Sequence, residues 1–469
     1  MTIVDAPQRS RAVDPTASFC VSAPAGSGKT ELLIQRYLRL LSRVERPEQV
    51  LAITFTRKAA AEMRTRVVEA LQAAGRGGPC QSDHQRVTRD LAEQALAADR
   101  RGDWHLVRDI SRLNIKTIDS FCGGLTRQMP VLSDFGGQAS LLDDAAELYA
   151  RAVSELFRRV EEDHPVAHDL AALMLHFDNN WERLQRLLVA MLARREQWRR
   201  YVGVHHDPEE SEAYLVATVE GLVRGELIGL SDRLGGYEAQ LLDLLRYAAA
   251  NLGEPAPAGF PGCEPADIAA WRRLRGMLLT NTGSWRKRLD KNMGFPAGRG
   301  TAAERKDQLQ GILAELAELD GLERQLDDTG ILPEINTGSE SWQLLVHLSR
   351  LLPLLAAELL LVFQQRGAVD HNQVALSALQ ALGDDDAPTE LALRLDYRIE
   401  HILVDEFQDT AINQYELIHA LTRGWGQHNA ANPEAPRTVM IVGDGMQSIY
   451  GFRGANVGLF LKARLEGFN

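Results

Sequence analysis

Cysteine is scarce. The 469 residues carry four, Cys20, Cys80, Cys122 and Cys263, and no two form a Cys-x-x-Cys pair. Neither a disulfide framework nor a zinc site is signalled, and a reduced, cytoplasmic setting is expected. Positive charge is not in excess. Against 52 lysines and arginines stand 64 acidic residues, a net charge of −12. That argues against a surface coated for nonspecific nucleic-acid binding and leaves room for a local basic groove. Long hydrophobic runs are missing too. The most apolar stretch, Leu351 to Phe363, is short and holds Pro353 and Glu358. It reads as a buried helix, so no membrane partner is expected. The first ten residues are too polar for a signal peptide. What remains, 45% hydrophobic and 25% charged, is the composition of a soluble globular protein of two or three domains.

The order of the chain suggests an α/β fold. An apolar run within residues 18–23 enters a Gly-rich turn, and Leu33, Tyr37, Leu40 and Leu41 follow at helical spacing. A second β-rich run at Val50–Phe55 precedes a Pro- and Gly-free stretch, Lys58–Ala74, rich in Ala, Glu, Met and Arg. Two strand–helix units in succession predict a parallel sheet. From about Gln128 to Leu382 helical patterns dominate, such as Leu184, Leu187, Leu188, Met191 and Leu192 after Asp178-Asn179-Asn180. Four prolines in Gly253–Asp267 mark a loop or hinge. Strand character returns at His401–Val404 and Thr438–Val442, with the polar stretch His428–Arg437 predicted as a surface loop between them. The resulting division is 1–127 and 383–469 as two parts of one α/β domain, with 128–382 as a large, mostly helical insertion.

Two short strings carry chemistry. Ala23-Pro24-Ala25-Gly26-Ser27-Gly28-Lys29-Thr30 sits between strand and helix. A Gly-rich turn at a helix N-terminus presents backbone N–H groups to phosphate oxygens. Lys29 would reach the β- and γ-phosphates, and the Thr30 hydroxyl would face Mg²⁺. The alternative is a Gly/Ser turn that happens to contain lysine. Ala23 departs from the usual pattern, standing where the first glycine is expected. The second string, Asp405-Glu406-Phe407-Gln408-Asp409-Thr410, follows an apolar strand. Asp405 is placed to hold Mg²⁺, and Glu406 to orient and deprotonate an attacking water. By itself such a string is also an ordinary surface turn. Together the two strings predict one ATP and Mg²⁺ site built from distant parts of the chain.

A third string, Gln447-Ser448-Ile449-Tyr450-Gly451-Phe452-Arg453-Gly454-Ala455, makes a resemblance specific. With Lys29-Thr30 and residues 405–410 it looks like motifs I, II and III of superfamily 1 helicases of the UvrD/RecB type. Val50 to Val67 resembles motif Ia, Thr117 to Cys122 is similar to motif Ib, and Gln8 matches the glutamine of the Q motif. The direct matches cover roughly residues 5–130 and 398–465. The resemblance implies a RecA-like P-loop domain and an ATP-dependent DNA helicase or translocase acting in repair or recombination, 3′→5′. It implies that Gln8 reads adenine and that Gln447 senses the γ-phosphate. It further implies that Phe55, Tyr450 and Phe452 stack on bases, that Thr54, Thr56, Arg57 and Thr117 touch backbone phosphates, and that Arg453 couples the two sites. Aromatic faces with sequence-blind phosphate contacts suit single-stranded DNA and its junctions with duplex. Asp119 departs from the family's common histidine. A carboxylate repels phosphate, so Asp119 is left out of the DNA set, with Arg57 offering a compensating contact.

Within the insertion, Trp285 to Lys291 and Arg194 to Tyr201 are the densest basic clusters. Such runs interleaved with aromatics grip duplex DNA in some proteins, but the expectation here is the solvated face of a helix. The length of the insertion is closer to RecB/AddA-type motor-nuclease subunits than to compact UvrD-type helicases, which implies a partner nuclease or helicase subunit. Up to Asn469 there is no Asn-x-Arg-Ser-like segment of a second motor domain. The expectation is therefore that these residues bind Mg·ATP and turn it over slowly without unwinding by themselves. The competing reading is a noncatalytic, truncated or degenerate module that binds ATP or single-stranded DNA.

Overall fold

The computed structural model describes residues 5–24, 26–77, 82–128, 139–159, 166–202, 208–319, 321–383, 387–396, 398–444 and 457–468. They form two compact units. The first comprises Met1–Ala152, Val189–Gln197 and Glu358–Asn469, and the second Val153–Leu188 and Trp198–Ala357.

Among the described residues the first unit holds seven strands. These are β1 (Phe19–Ser22), β2 (Val50–Thr54), β3 (Ile115–Thr117), β4 (Ser140–Leu142), β5 (Ala368–Asp370), β6 (His401–Val404) and β7 (Thr438–Gly443). Five of them make one sheet in the order β1-β7-β6-β2-β3, and every neighbouring pair in it is parallel. Strands β4 and β5 pair apart from it, also in parallel.

The sheet's sequence explains its layers. The central strands β2, β6 and β7 are buried at every position, as a parallel sheet covered on both faces requires. Successive side chains point to opposite faces. Val50, Ala52, Leu403, Met440 and Val442 accordingly join one core, while Leu51, Ile53, Ile402, Val404 and Ile441 join the other. Helices α2 (Lys29–Leu41), α3 (Arg57–Arg76) and α4 (Asp83–Gly102) fill the first side with Leu33, Tyr37, Leu38, Val67, Leu71 and Ala92. Helix α5 (Ile118–Gln128) and the helices His371–Leu382 and Ile412–Leu421 fill the second with Phe121, Ala378 and Leu417. The short helix α1 (Ala6–Ala12) precedes β1.

Two expectations change. The basic cluster at Arg194 to Tyr201 is not simply a solvated face, because Arg195 and Glu196 are buried. The Arg195 guanidinium lies bidentate on Asp370, at 2.7 and 2.6 Å. Asp370 also accepts the Tyr149 hydroxyl at 2.5 Å and caps its own helix through the Gln373 N–H at 2.7 Å. Charge density marked the cluster in the sequence, but its partner is 175 residues away. The stretch His428–Arg437 is only partly loop. Helix Trp425–Ala431 runs into it, and the Asn429 side chain closes the turn by accepting the Arg437 N–H at 2.8 Å and donating to its carbonyl at 2.9 Å.

The second unit is helical. Its core gathers Leu227 and Leu230 of Pro208–Leu234, Leu241 and Leu244 of Glu238–Leu252, Trp271 and Leu274 of Ile268–Leu278, and Leu309 and Leu316 of Thr301–Ala317. Trp271 is wholly buried and donates its indole N–H to the Gly262 carbonyl at 2.7 Å, anchoring the proline-rich loop. Arg286, in the other basic cluster, donates to the Gly276 carbonyl at 3.0 Å, while Lys287 and Arg288 are exposed. The helix Glu340–Arg366 is long and apolar enough to cross a membrane, with mean hydropathy 1.8, but half of that window is buried in the protein.

Candidate nucleotide site and the strand ends beside it

Apart from Gln8, the candidate site residues within the described range lie at or follow the C-terminal ends of four of the five parallel strands, β1, β2, β3 and β6, or open the helices after them. This is the edge where open α/β sheets gather ligands. At β1 the chain leaves through Ala23, whose N–H donates to the Gly443 carbonyl of β7 at 3.1 Å. The turn closes with the Ser27 N–H on the Pro24 carbonyl at 3.3 Å. Gly26 (φ 76°) and Gly28 (φ 82°) take the left-handed conformation, which a side chain would strain. Gly28 caps α2, so Lys29 and Thr30 open that helix. The Ser27 hydroxyl oxygen is buried with no hydrogen-bond partner, a polar atom waiting for a ligand in this cradle. Ala25 lies outside the described residues.

Helix α1 is tied to this turn by Arg9. Its guanidinium donates to the Ser27 carbonyl and to the Asp5 carboxylate at 3.0 Å. Gln8, exposed, is the preceding residue. Nothing in the sequence singled out Arg9.

The acidic string completes the arrangement from β6. The Asp405 N–H donates to the Ile53 carbonyl at 3.0 Å, which carries the β6–β2 pairing to the edge. Its carboxyl accepts the Glu406 N–H at 3.0 Å. Burial, then the neighbouring Glu406 charge, push the Asp405 pKa up to about 6, with Lys29 pulling the other way. Such a buried carboxyl lacks a sufficient counter-charge. Glu406 is held at φ 49°, a left-handed conformation costly for a non-glycine residue and frequent at functional sites. Lys29 Nζ stands 3.4 Å from Glu406 Oε2, across 377 residues of sequence. Gln408, to which no role was assigned, fixes this corner. It donates to Glu406 Oε2 at 2.8 Å and accepts the Asp444 N–H at 2.9 Å.

The candidate DNA residues lie at β2 and β3. Thr54 and Thr117 face each other in register at the ends of those strands, both buried. Their hydroxyls serve the chain itself. Thr54 donates to the Thr56 carbonyl at 3.3 Å, and Thr117 accepts the Ser120 N–H at 3.1 Å. Thr56 caps α3 by accepting the Ala59 N–H at 3.0 Å. Phe55 is half-buried, and Arg57 is exposed at the start of α3. Asp119 meets His371, with its carboxylate 2.9 Å from Nδ1. Gln447, Tyr450, Phe452 and Arg453 lie outside the described residues.

A parallel sheet with a Gly-rich lysine loop and an acidic strand end meeting at its C-terminal edge defines a RecA-like P-loop nucleotide-binding fold. Residues 5–235 and 281–466 match the UvrD/REP helicase N-terminal domain model, and the chain belongs to that family. Its relatives include large ATP-dependent helicase/nuclease subunits of bacteria. The one from Desulfitobacterium hafniense (strain DSM 10664 / DCB-2) is 27% identical over 506 residues, covering 97% of this chain and 32% of that protein. The protein of the same description from Moorella thermoacetica is 28% identical over 481 residues, covering 95% and 31%. That from Lysinibacillus sphaericus is 26% identical over 482 residues, covering 95% and 36%. The chain therefore spans about a third of the length of these curated relatives.

Proposed function

We propose that the chain supplies the nucleotide-binding half of an ATP-dependent DNA helicase or translocase of the UvrD/RecB type. It would move 3′→5′ on single-stranded DNA, in the cytoplasm, with a partner helicase or nuclease subunit in repair or recombination. The observation that carries the reading is the meeting of Lys29 and Glu406 at 3.4 Å.

The site suits Mg·ATP. The orphaned Ser27 hydroxyl and the buried, under-compensated Asp405 carboxyl call for a ligand carrying hard positive charge and phosphate oxygens. Thr30 and Asp405 would hold Mg²⁺, which when bound neutralises charge developing on the phosphates. The backbone of the turn from Gly26 to Thr30 would wrap the phosphates, and Gln8 would read the base. Lys29 Nζ moves from Glu406 to the β- and γ-phosphate oxygens. Its departure frees Glu406 Oε2 to accept the proton of the attacking water, while Gln408 keeps that carboxylate aimed. Gln408 also grips Asp444, the residue that leads toward Gln447, and so offers a path from hydrolysis toward the bases.

The test is nucleotide binding and turnover by the 469-residue chain, with and without single-stranded DNA. Losing the charged contact in Lys29→Ala is expected to weaken Mg·ATP binding roughly 10- to 100-fold. Glu406→Gln keeps binding and lowers turnover by about 10²–10⁴. Unchanged affinity in Lys29→Ala overturns the reading. Binding by the wild-type chain with a turnover that Glu406→Gln does not change supports the noncatalytic module instead.

A further inference from the structure

The Thr117 strand end carries a carboxylate that should repel the phosphate expected beside it, and the structure surrounds that carboxylate in an informative way. Asp119 lies in the first turn of α5, two residues after Thr117. Its Oδ2 is 2.9 Å from Nδ1 of His371, the first residue of helix His371–Leu382, which packs along α5. The other ring nitrogen, Nε2, is 3.0 Å from Oδ1 of Asp143, just past β4. Nε2 shares a hydrogen bond with Asp143, whereas Nδ1 meets Asp119 at ion-pair distance without hydrogen-bond geometry, and negative charge beside each nitrogen complements a protonated ring. The ring sits at a helix N-terminus, where the helix dipole opposes positive charge, and the two carboxylates offset that cost for a protonated ring.

The two carboxylates are not equivalent. Asp119 is mostly covered, with its side chain 20% exposed, whereas that of Asp143 is 85% exposed. An ion pair to so exposed a side chain is weak and exchanges readily with other anions. The covered carboxylate lies against Nδ1. The exposed one occupies the place that an incoming anion takes.

We propose that His371 is a nucleic-acid phosphate ligand, oriented by Asp119, and that Asp143 holds its Nε2 until a backbone phosphate replaces it. The proposal rests on the reading that this sheet edge takes single-stranded DNA. Asp119 then serves as a positioning residue for a positive contact supplied by another helix, so its carboxylate does not oppose DNA at this strand end. Each phosphate neutralised in this way releases counterions and adds about one to the salt slope of binding.

The experiment is fluorescence anisotropy of a labelled oligo-dT with the 469-residue chain across a salt series. His371→Ala is expected to weaken binding roughly tenfold and lower the salt slope by about one. Asp143→Asn, which removes the competing carboxylate from an exposed position, tightens binding several-fold. In the double variant that gain disappears, because the two residues act on one contact. Should His371→Ala fold poorly, His371→Gln keeps a neutral donor and is expected to fall between wild type and loss. A purely structural triad predicts instead that Asp143→Asn weakens binding or leaves it unchanged, and that result overturns the proposal. His371 variants that are folded and match wild type overturn it as well. If the wild-type chain fails to bind oligo-dT even at low salt, the single-strand reading falls and this proposal with it.

Discussion

Removing the Asp370 carboxylate should be among the most damaging single changes available in the first unit. Arg195 and Asp370 have side chains only 2% and 7% exposed. Asp370→Ala takes away both guanidinium contacts, the acceptor for the Tyr149 hydroxyl and the cap on the Gln373 N–H. Arg195 is left as a buried charge without its carboxylate. Breaking such a pair costs about 3–5 kcal/mol, and a lost cap about 1 kcal/mol more. At roughly 2 °C per kcal/mol for a unit of this size, the midpoint of thermal unfolding should fall by about 8–12 °C. The pair itself need not be worth that much. Replacing both members by hydrocarbon, as in Arg195→Met with Asp370→Leu, should recover most of the loss. The pH profile tests the electrostatics separately. Burial pushes the Asp370 carboxyl up, but Arg195, Tyr149 and the Gln373 N–H outweigh it and hold the pKa below its ordinary value. A depressed carboxyl stabilises the fold above the unfolded pKa of about 3.9, and that stability is lost as pH falls through the lower folded value. The difference in midpoint between wild type and Asp370→Asn should therefore stay flat from pH 8 to about pH 5 and shrink only below about pH 4. A loss under about 2 °C in Asp370→Ala, or a difference that closes already by about pH 6, would refute the reasoning.

Two other changes probe the nucleotide site. The Asp405 pKa is raised from 3.8 to about 6, so stability declines as pH rises across that interval, by at most about 3 kcal/mol at 1.36 kcal/mol per unit. Asp405→Asn should thus raise the unfolding midpoint at pH 7, give no gain at pH 4, and abolish ATP turnover; a midpoint equal to wild type at both pH values counts against the assignment. At Gly443, an added Cβ would come within 2.7 Å of Gln408 Oε1 and 3.1 Å of the Phe460 ring. Because Gln408 is held by the Asp444 N–H, Gly443→Ala should cost about 1–3 kcal/mol in denaturant unfolding, and a neutral result would show that Gln408 yields freely.

How much could be read beforehand follows from the range of the interactions involved. Strands β2, β6 and β7 were visible because a strand buried at every position reads as a continuous apolar run, while the shorter, partly exposed β1 was marked by the Gly-rich turn after it. Helix α2 was visible because its core residues recur at helical spacing, and α3 because its stretch Lys58–Ala74 is rich in helix formers and free of Pro and Gly. Strands β3, β4 and β5, three residues each, carry no periodic signal of their own. The Gly-rich turn between β1 and α2 was legible because its glycines take left-handed conformations at fixed offsets before the helix that Lys29 opens. Arg9, Gln408 and His371 were not, since each acts through partners that the chain brings close only by folding. Arg195 shows the limit most clearly. In sequence it is one basic residue in a charged cluster, and only its distant carboxylate makes it a buried one.

The strand order has a consequence for how the protein comes into being. Among the described residues strand β1 has a single neighbour in the sheet, β7, and the Val439 N–H reaches back to the Ser18 hydroxyl across 421 residues. At roughly 5–20 residues per second, β1 leaves the ribosome about 20–80 s before its partner exists. During that interval Phe19 and Val21, and the hydrogen-bonding edge between them, have no native strand to join. Strand β2 can pair early with β3 and waits for β6 only on its other side. The nascent chain thus carries β1 without its native neighbour for most of its synthesis, and the Gly-rich loop after β1 acquires its anchor on Gly443 only when synthesis has passed that residue.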